Sequence, residues 1–255
     1  MGRFDDRVVI VTGGGGGIGG AVSRGFAAEG GAVAVLDRAA GPARTVADSI
    51  TGQGGRAIAV ECDITDRSSV DAAIVRVVDE LGPIDVLVNN AGWDLFVPFL
   101  DTEPADWARL IDINLVGALH LHHAVLPGMV ARGAGRVVSV SSDAARVGSS
   151  GEAVYAACKA GLIAFAKTLA REHARHGITF NVVCPGPTDT ALLSTVTDAA
   201  ANPDKLREAF RRAIPMGRLG QPDDLVAAIL FFASDDGGFV TGQVLSVSGG
   251  LTMAG

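Results

Sequence analysis

The run RVVIVTGGGGGIGG, Arg7 to Gly20, passes from a β-branched stretch straight into glycine, and then into the helix-like AVSRGFAAEG. Strand, glycine turn and helix in that order leave the first N–H groups of the helix unpartnered at the turn. Glycines there let the chain bend sharply and approach a pyrophosphate, whose charge the helix N-terminus meets. Several spacings satisfy this reading. Gly14, Gly16 and Gly19 fit G-x-G-x-x-G, as do Gly15, Gly17 and Gly20, and Gly13-x-x-x-Gly17-x-Gly19 preceded by Thr12 is a third arrangement.

Outward from that unit, short apolar runs alternate with longer amphipathic segments, the pattern of βαβ units around a parallel sheet. After RVVIVT (7–12) the candidate strands are AVAVLD (32–37), AIAVEC (57–62), IDVLVN (84–89), RVVSVS (136–141), ITFNVV (178–183) and QVLSVS (243–248). Most are apolar at both alternating positions, so burial on two faces, with helices on both sides, is expected. No internal repeat and no Pro/Ser-rich linker marks a second domain. The expected fold is α/β, a doubly wound Rossmann-like parallel sheet of about seven strands in a single domain, residues 1–255.

Composition narrows the partners. The chain of 255 residues is 48% hydrophobic and 19% charged, with a formal net charge of −7. An acidic chain without a basic block repels a phosphate backbone, so no nucleic-acid partner is expected. MGRFDDR at the start lacks the apolar stretch of a secretory signal, and no run approaches about 20 uninterrupted apolar residues. Neither export nor a membrane span is expected. Cys62, Cys158 and Cys184 are odd in number and lack CxxC spacing, which reads as reduced thiols of a cytoplasmic protein. His120, His122 and His123 in HLHH have no carboxylate or cysteine to complete a ligand set, so no metal is expected.

The reactive groups gather in SVSSDAARVGSSGEAVYAACKA, Ser139 to Ala160. Tyr155 is the chain's only tyrosine, and Lys159 follows it by one helical turn on the same face. An ammonium beside a phenol favours the phenolate and should draw its pKa down from about 10. Ser142 closes an apolar run shortly before and can meet the same substrate oxygen. Asp37 ends the second run at the distance beyond the glycines where a carboxylate bonds adenosine ribose hydroxyls and repels a 2′-phosphate. Arg38 beside it can accept that phosphate, yet the balance favours NAD over NADP.

Ser142, Tyr155 and Lys159 at these spacings, with YAACK matching Tyr-x-x-x-Lys, resemble the catalytic triad of the short-chain dehydrogenase/reductase family. Thr12 with Gly13, Gly17 and Gly19 resembles that family's glycine turn, within which Gly16 and Ile18 also face the dinucleotide. The resemblance covers essentially the entire chain. It implies that Asp63 and Ile64 lie at the adenine, and that Asn90, Ala91 and Gly92 of NNAG line the adenine ribose and nicotinamide side. It further implies that Asn114 holds a water linking the lysine to solvent, and that Pro185, Gly186 and Thr188 or Thr190 meet the nicotinamide carboxamide or pyrophosphate. Tyr155 would exchange the substrate proton, Ser142 would steady the oxyanion, and Lys159 would lower the tyrosine pKa and hold the cofactor ribose. NAD would carry the hydride to or from a secondary alcohol or ketone. Family members are commonly homotetramers, and Ala156, Ala157, Ala160 and Gly161 would permit close approach of helices.

Trp93, Asp94 and Phe96 follow NNAG at the ligand-binding edge of such a sheet and are candidate substrate residues, as are Asp143 and Arg146. Residues 189–215 lack a strong period and are expected to form a mobile substrate lid. Helices are expected over 104–131, with Pro104 and Asp106 in the first turn, and from Pro222 with Asp223 and Asp224. NNAGWDLFVPF, SSDAARVGSSGEAVYAACK, LAREHARHGIT, NVVCPGPTDTALL and TGQVLSVSGGLTM are similar to family members that oxidise a ring-borne β-hydroxyacyl-CoA. A basic group near the mouth would then meet the phosphates of a CoA thioester, and Arg146, Arg212 and Arg218 are the candidates. Two other readings stand: a 3-oxoacyl thioester reductase or dehydrogenase of another cyclic or steroid alcohol, and a dinucleotide-binding protein without turnover. The intact triad argues against the last.

Overall fold

Val8 to Thr12 are all buried, yet alternate side chains leave the strand for opposite faces: Val8 and Ile10 join one apolar core, Val9 and Val11 another. The same division repeats along the sheet, which is why its strands read as continuous apolar runs. The computed structural model describes residues 2–198 and 202–254. Its strands are β1 (Val8–Thr12), β2 (Ala32–Asp37), β3 (Arg56–Glu61), β4 (Ile84–Asn89), β5 (Gly135–Val140), β6 (Ile178–Pro185) and β7 (Val244–Val247). All pair in parallel, in the order β3-β2-β1-β4-β5-β6-β7.

Among the described residues ten α-helices flank this sheet: α1 (Gly17–Ala28), α2 (Ala40–Thr51), α3 (Arg67–Leu81), α4 (Pro104–Ile111), α5 (Gly117–Arg132), α6 (Ala144–Val147), α7 (Ala153–His173), α8 (Ala191–Asp198), α9 (Pro203–Ala213) and α10 (Pro222–Ala233). One core holds Val70 and Val77 of α3, Leu121 and Met129 of α5 and Leu169 of α7. The other holds Val22 and Phe26 of α1, Val46 of α2 and Ile229 of α10. The order of strand addition reverses between β1 and β4, because β2 and β3 build out on one side and the later strands on the other. The crevice at the carboxyl ends of β1 and β4 is where this architecture holds ligands.

Local signals set the helix starts. Pro104 and Pro222 occupy first turns, and Glu103 with Asp106, and Gln221 with Asp224, close reciprocal capping boxes. Two helical stretches, Pro104–Arg132 of 29 residues and Ala153–His176 of 24, are long and apolar enough by composition to cross a membrane. Here they lie on the sheet, and buried Asn114, His122 and Lys159 interrupt their apolar surface. The segment expected as an aperiodic lid instead forms two helices, α8 and α9; of it, residues 199–201 lie outside the described residues.

Candidate active site

The glycine turn adopts the third of the sequence spacings. Gly13 and Gly17 have φ of +60° and +51°, a region that L side chains rarely occupy. A Cβ on Gly19 would come within 2.2 Å of the Gly13 carbonyl oxygen, so only hydrogen fits where α1 crosses the turn. Gly16 caps α1 without a side-chain bond, and the first turn carries no acidic residue. The N–H groups of that turn are thus left for an anion, the fit a dinucleotide pyrophosphate needs. Asp37 Oδ2 accepts from the Gly15 N–H at 3.0 Å and Oδ1 from the Ala39 N–H at 2.9 Å, which aims the carboxylate at the turn with lone pairs to spare.

A cavity of about 850 Å³ runs from this turn across the strand ends. Gly13, Gly16, Gly17, Ile18, Asp37, Arg38, Asp63, Ile64, Asn90, Ala91, Gly92, Pro185, Gly186, Thr188 and Thr190 all line it, so most of the expected dinucleotide contacts share one wall. Thr12 and Gly19 do not. Thr12 is fully buried, and its hydroxyl accepts from the N–H groups of Asn90 and Ala91, both at 3.0 Å. Asn90 Nδ2 returns a bond to the Thr12 carbonyl at 2.9 Å. Thr12 therefore staples NNAG to the glycine turn, a supporting role in place of the expected contact.

Asn114 lies inside a π-helical turn, Asp112–Val116, between α4 and α5. Its amide donates to the Trp93 carbonyl at 2.7 Å and the Leu110 carbonyl at 3.0 Å, and its Oδ1 accepts from the Trp93 N–H at 3.2 Å. The widened turn thus presents a side chain that fixes the loop leaving NNAG. A Cβ on Gly92 would lie 3.0 Å from Asn114 Oδ1 and 3.1 Å from Lys159 Nζ, so both groups converge on that glycine.

Ser142 follows β5, and Tyr155 and Lys159 project from successive turns of α7. Ser141 Oγ donates to the Lys159 carbonyl at 2.8 Å and Lys159 Nζ to the Val140 carbonyl at 3.1 Å, which ties α7 to the end of β5. Ser142 Oγ accepts from the Ala144 N–H at 3.1 Å. Tyr155 and Lys159 are both buried, and Nζ stands 5.6 Å from the phenol ring centre.

Burial reverses the expected electrostatics. Desolvation raises the Tyr155 pKa well above its usual value, the carboxyl groups of Asp94 and Glu152 raise it further, and Ser142 acts the other way. Lys159 is itself pulled down to about 8 by desolvation, and one of its three N–H donors goes to the Val140 carbonyl. At about 8 the lysine still carries its charge near neutral pH, and burial together with the two carboxyl groups outweighs it at the phenol.

The remaining wall is apolar, with Trp93, Phe96, Leu192, Leu193, Val196 and Phe210, and α8 and α9 contribute four of these. Asp94 is buried there against Glu152, and desolvation together with that neighbour lifts it to about 8. Arg109 lines the rim with its guanidinium carbon 3.9 Å from the Trp93 ring centre. Glu152 and Arg109 escaped the sequence reading because each looks like an ordinary polar helix position. Asp143 lines the cavity and accepts from Ser246 Oγ, but Arg146 does not line it. Arg146 instead holds Ser246 Oγ at 2.9 Å and the Ala254 carbonyl, pinning the C-terminal segment, because the chain end folds back over α6. Arg212 pairs with Glu208 and Arg218 with Asp224, so neither has a free charge for a phosphate. Among the described residues no cluster of three or more His, Cys, Asp or Glu is placed to hold a metal. His120 and His122 donate to the Ile64 and Ala118 carbonyls, and His123 accepts from Arg67.

Comparison with known proteins places this geometry. The family described as Enoyl-(Acyl carrier protein) reductase matches residues 14–252. The chain belongs to the short-chain dehydrogenase/reductase family. It is 39% identical to an acetoacetyl-CoA reductase of Shinella zoogloeoides over 96% of this chain and 98% of that one. It is 36% identical to the (2S)-[(R)-hydroxy(phenyl)methyl]succinyl-CoA dehydrogenase subunit BbsD of Thauera aromatica, over 98% of each. Identity is also 36% to the 3-oxoacyl-[acyl-carrier-protein] reductase FabG of Thermotoga maritima, over 98% of this chain and 100% of that one. Among solved structures, levodione reductase superposes with a TM-score of 0.94 at 30% identity, covering 97% of this chain and 98% of that chain. A gluconate 5-dehydrogenase from Beutenbergia cavernae, described as putative and NAD(P)-dependent and carrying NADP at low occupancy, does so at 0.91 and 33%, covering 98% and 99%.

As a short-chain dehydrogenase/reductase the protein is an oxidoreductase that uses a nicotinamide dinucleotide, which supplies or takes the hydride when bound. The chain's own groups manage the proton. A phenol kept protonated by burial can donate to a substrate oxygen, and the Ser142 hydroxyl, on the same lining, can bond that oxygen.

Proposed function

We propose that this chain interconverts a 3-oxoacyl thioester and its 3-hydroxyacyl counterpart, with NADH and NAD as the hydride partners. The observation that carries the reading is the cavity itself: one neutral phenol and one hydroxyl at its reacting end, and an apolar wall for an uncharged acyl group beyond. The relatives named above support it, since acetoacetyl-CoA reductase, FabG and BbsD all bear names of acyl thioester chemistry. Protonated Tyr155 is the form that donates to the oxygen in reduction, and the same residue takes the proton back in oxidation. Asp37 at the glycine turn argues for NAD, because its carboxylate repels a 2′-phosphate.

A narrower substrate has its own support. Five segments resemble 2-hydroxycyclohexanecarboxyl-CoA dehydrogenase, and the breadth of Trp93, Phe96 and Phe210 suits a carbocyclic acyl group. We further assign the chain to the cytoplasm as a homotetramer, with residues 189–215 as the lid. A second apolar groove, lined by Phe99, Ile111, Leu115, Ala153, Val154 and Ala157, supports assembly through α4 and α7. The deciding experiment measures initial rates with acetoacetyl-CoA, with 2-hydroxycyclohexanecarboxyl-CoA and with free cyclic alcohols, each with both dinucleotides. Turnover of thioesters with NADH or NAD is expected. Turnover of free alcohols alone would overturn the thioester reading.

A further inference from the structure

The cavity is sorted by charge. At the rim, the Arg109 guanidinium lies over the Trp93 ring at 3.9 Å, and among the described residues it makes no hydrogen bond or ion pair with the protein. The indole face holds the guanidinium plane while leaving its N–H edge open to an anion. The arginines of the neighbouring segments are committed. Arg146 holds Ser246 and Ala254, Arg207 holds Asp189 and Ser194, and Arg212 and Arg218 are paired with Glu208 and Asp224. Arg38, the other arginine of the lining, sits next to Asp37 at the glycine turn.

Beside Tyr155 the sign is opposite. Asp94 is more than nine-tenths buried, its Oδ1 accepts from the Leu95 N–H, and it meets the Glu152 carboxyl within the lining. Asp94 and Glu152 thus place two carboxyl groups in the wall beside the phenol, where an incoming carboxylate would lie against them. In a chain of net charge −7, an anionic ligand finds an open guanidinium at this rim. At the reacting end two carboxyl groups stand with one ammonium, Lys159, which is bonded to the Val140 carbonyl.

Resting on the thioester reading above, we infer that Arg109 takes a phosphate of the substrate's pantetheine carrier arm at the rim, while the Asp94–Glu152 pair turns away substrates that bring their own anion to the phenol. The phosphate belongs either to coenzyme A or to the prosthetic arm of an acyl carrier protein, and both present the same phosphate ester. The acyl group enters neutral end first, and the carrier stays outside.

Three substrates separate the parts: acetoacetyl-CoA, the acetoacetyl thioester of N-acetylcysteamine, which lacks phosphate, and free acetoacetate. R109A is expected to raise KM for acetoacetyl-CoA about tenfold with kcat held, while KM for the N-acetylcysteamine thioester moves less than twofold. Arg109→Lys should recover part of the loss. Acetoacetyl carrier protein, run in parallel, identifies the source by the larger R109A effect. Glu152→Gln with Asp94→Asn should raise kcat/KM for acetoacetate at least tenfold relative to the thioesters. Equal R109A losses on both thioesters, or none on either, would overturn the phosphate contact. An unchanged acid-to-thioester ratio in the double variant would overturn the anion filter. If wild type turns over neither thioester, the thioester reading fails separately. Calorimetric titration of free coenzyme A then still tests Arg109, because equal affinity of wild type and R109A removes the contact.

Discussion

Asp94 and Glu152 hold their carboxyl groups in contact inside the cavity, next to the Tyr155 phenol. Desolvation and the Glu152 neighbour raise Asp94 to about 8, whereas an unfolded aspartate titrates near about 3.9. The native state therefore binds more protons than the unfolded one between those values, and stability falls as pH rises through that window. Thermal unfolding of wild type should drop more steeply from pH 5 to 8 than that of Asp94→Asn. Parallel slopes would remove the raised carboxyl from the account.

The glycine turn offers a paired test. Gly19→Ala puts a methyl 2.2 Å from the Gly13 carbonyl oxygen, while Gly16 has nothing within 4 Å and an extended φ of −178° that any residue adopts. Gly19→Ala should lower the melting temperature and weaken NADH binding more than tenfold. Gly16→Ala should leave the melting temperature unchanged, so any loss of NADH affinity there reports the ligand itself. Differential scanning fluorimetry with and without NADH reads both.

Asn114 makes three hydrogen bonds from a nearly fully buried position. Asn114→Ala leaves the Trp93 and Leu110 carbonyls without those donors and should cost about 1–3 kcal/mol in urea unfolding. Asn114→Asp should cost more, because it aims a buried carboxylate at two carbonyl oxygens. An aspartate variant more stable than the alanine one would contradict the assigned bonds.

The proposal of NAD over NADP rests on Asp37. Its carboxylate sits on the Gly15 N–H, with Arg38 next in sequence and also in the lining. Asp37→Ser should shift the ratio of kcat/KM for NADH over NADPH toward NADPH by at least tenfold. An unchanged ratio would show that the carboxylate does not select.

Much of this architecture was legible in the residues because burial on both faces writes continuous apolar runs. β2 and β4 begin and end where AVAVLD and IDVLVN do, and the others differ by one or two residues at an end. Pro104, Pro222 and their acidic neighbours marked helix starts for a local reason, the chemistry of a first turn. What stayed hidden depends on distant partners. Arg146 is claimed by Ser246, a hundred residues on, and Thr12 by the NNAG turn. The direction of the Tyr155 shift is a sum over everything that buries it, and a spacing of four residues reports only one neighbour. Arg109 and Glu152 gain meaning only when α4 and α7 meet at the cavity.

The central claim is that the neutral Tyr155 phenol delivers the proton to the carbonyl oxygen as hydride arrives. Single-turnover oxidation of NADH by acetoacetyl-CoA, measured for wild type and Tyr155→Phe alongside the NADH dissociation constant, tests it most directly. The account predicts a rate at least about 100-fold lower in the variant with the dissociation constant within twofold. A variant that turns over at the wild-type rate would contradict it.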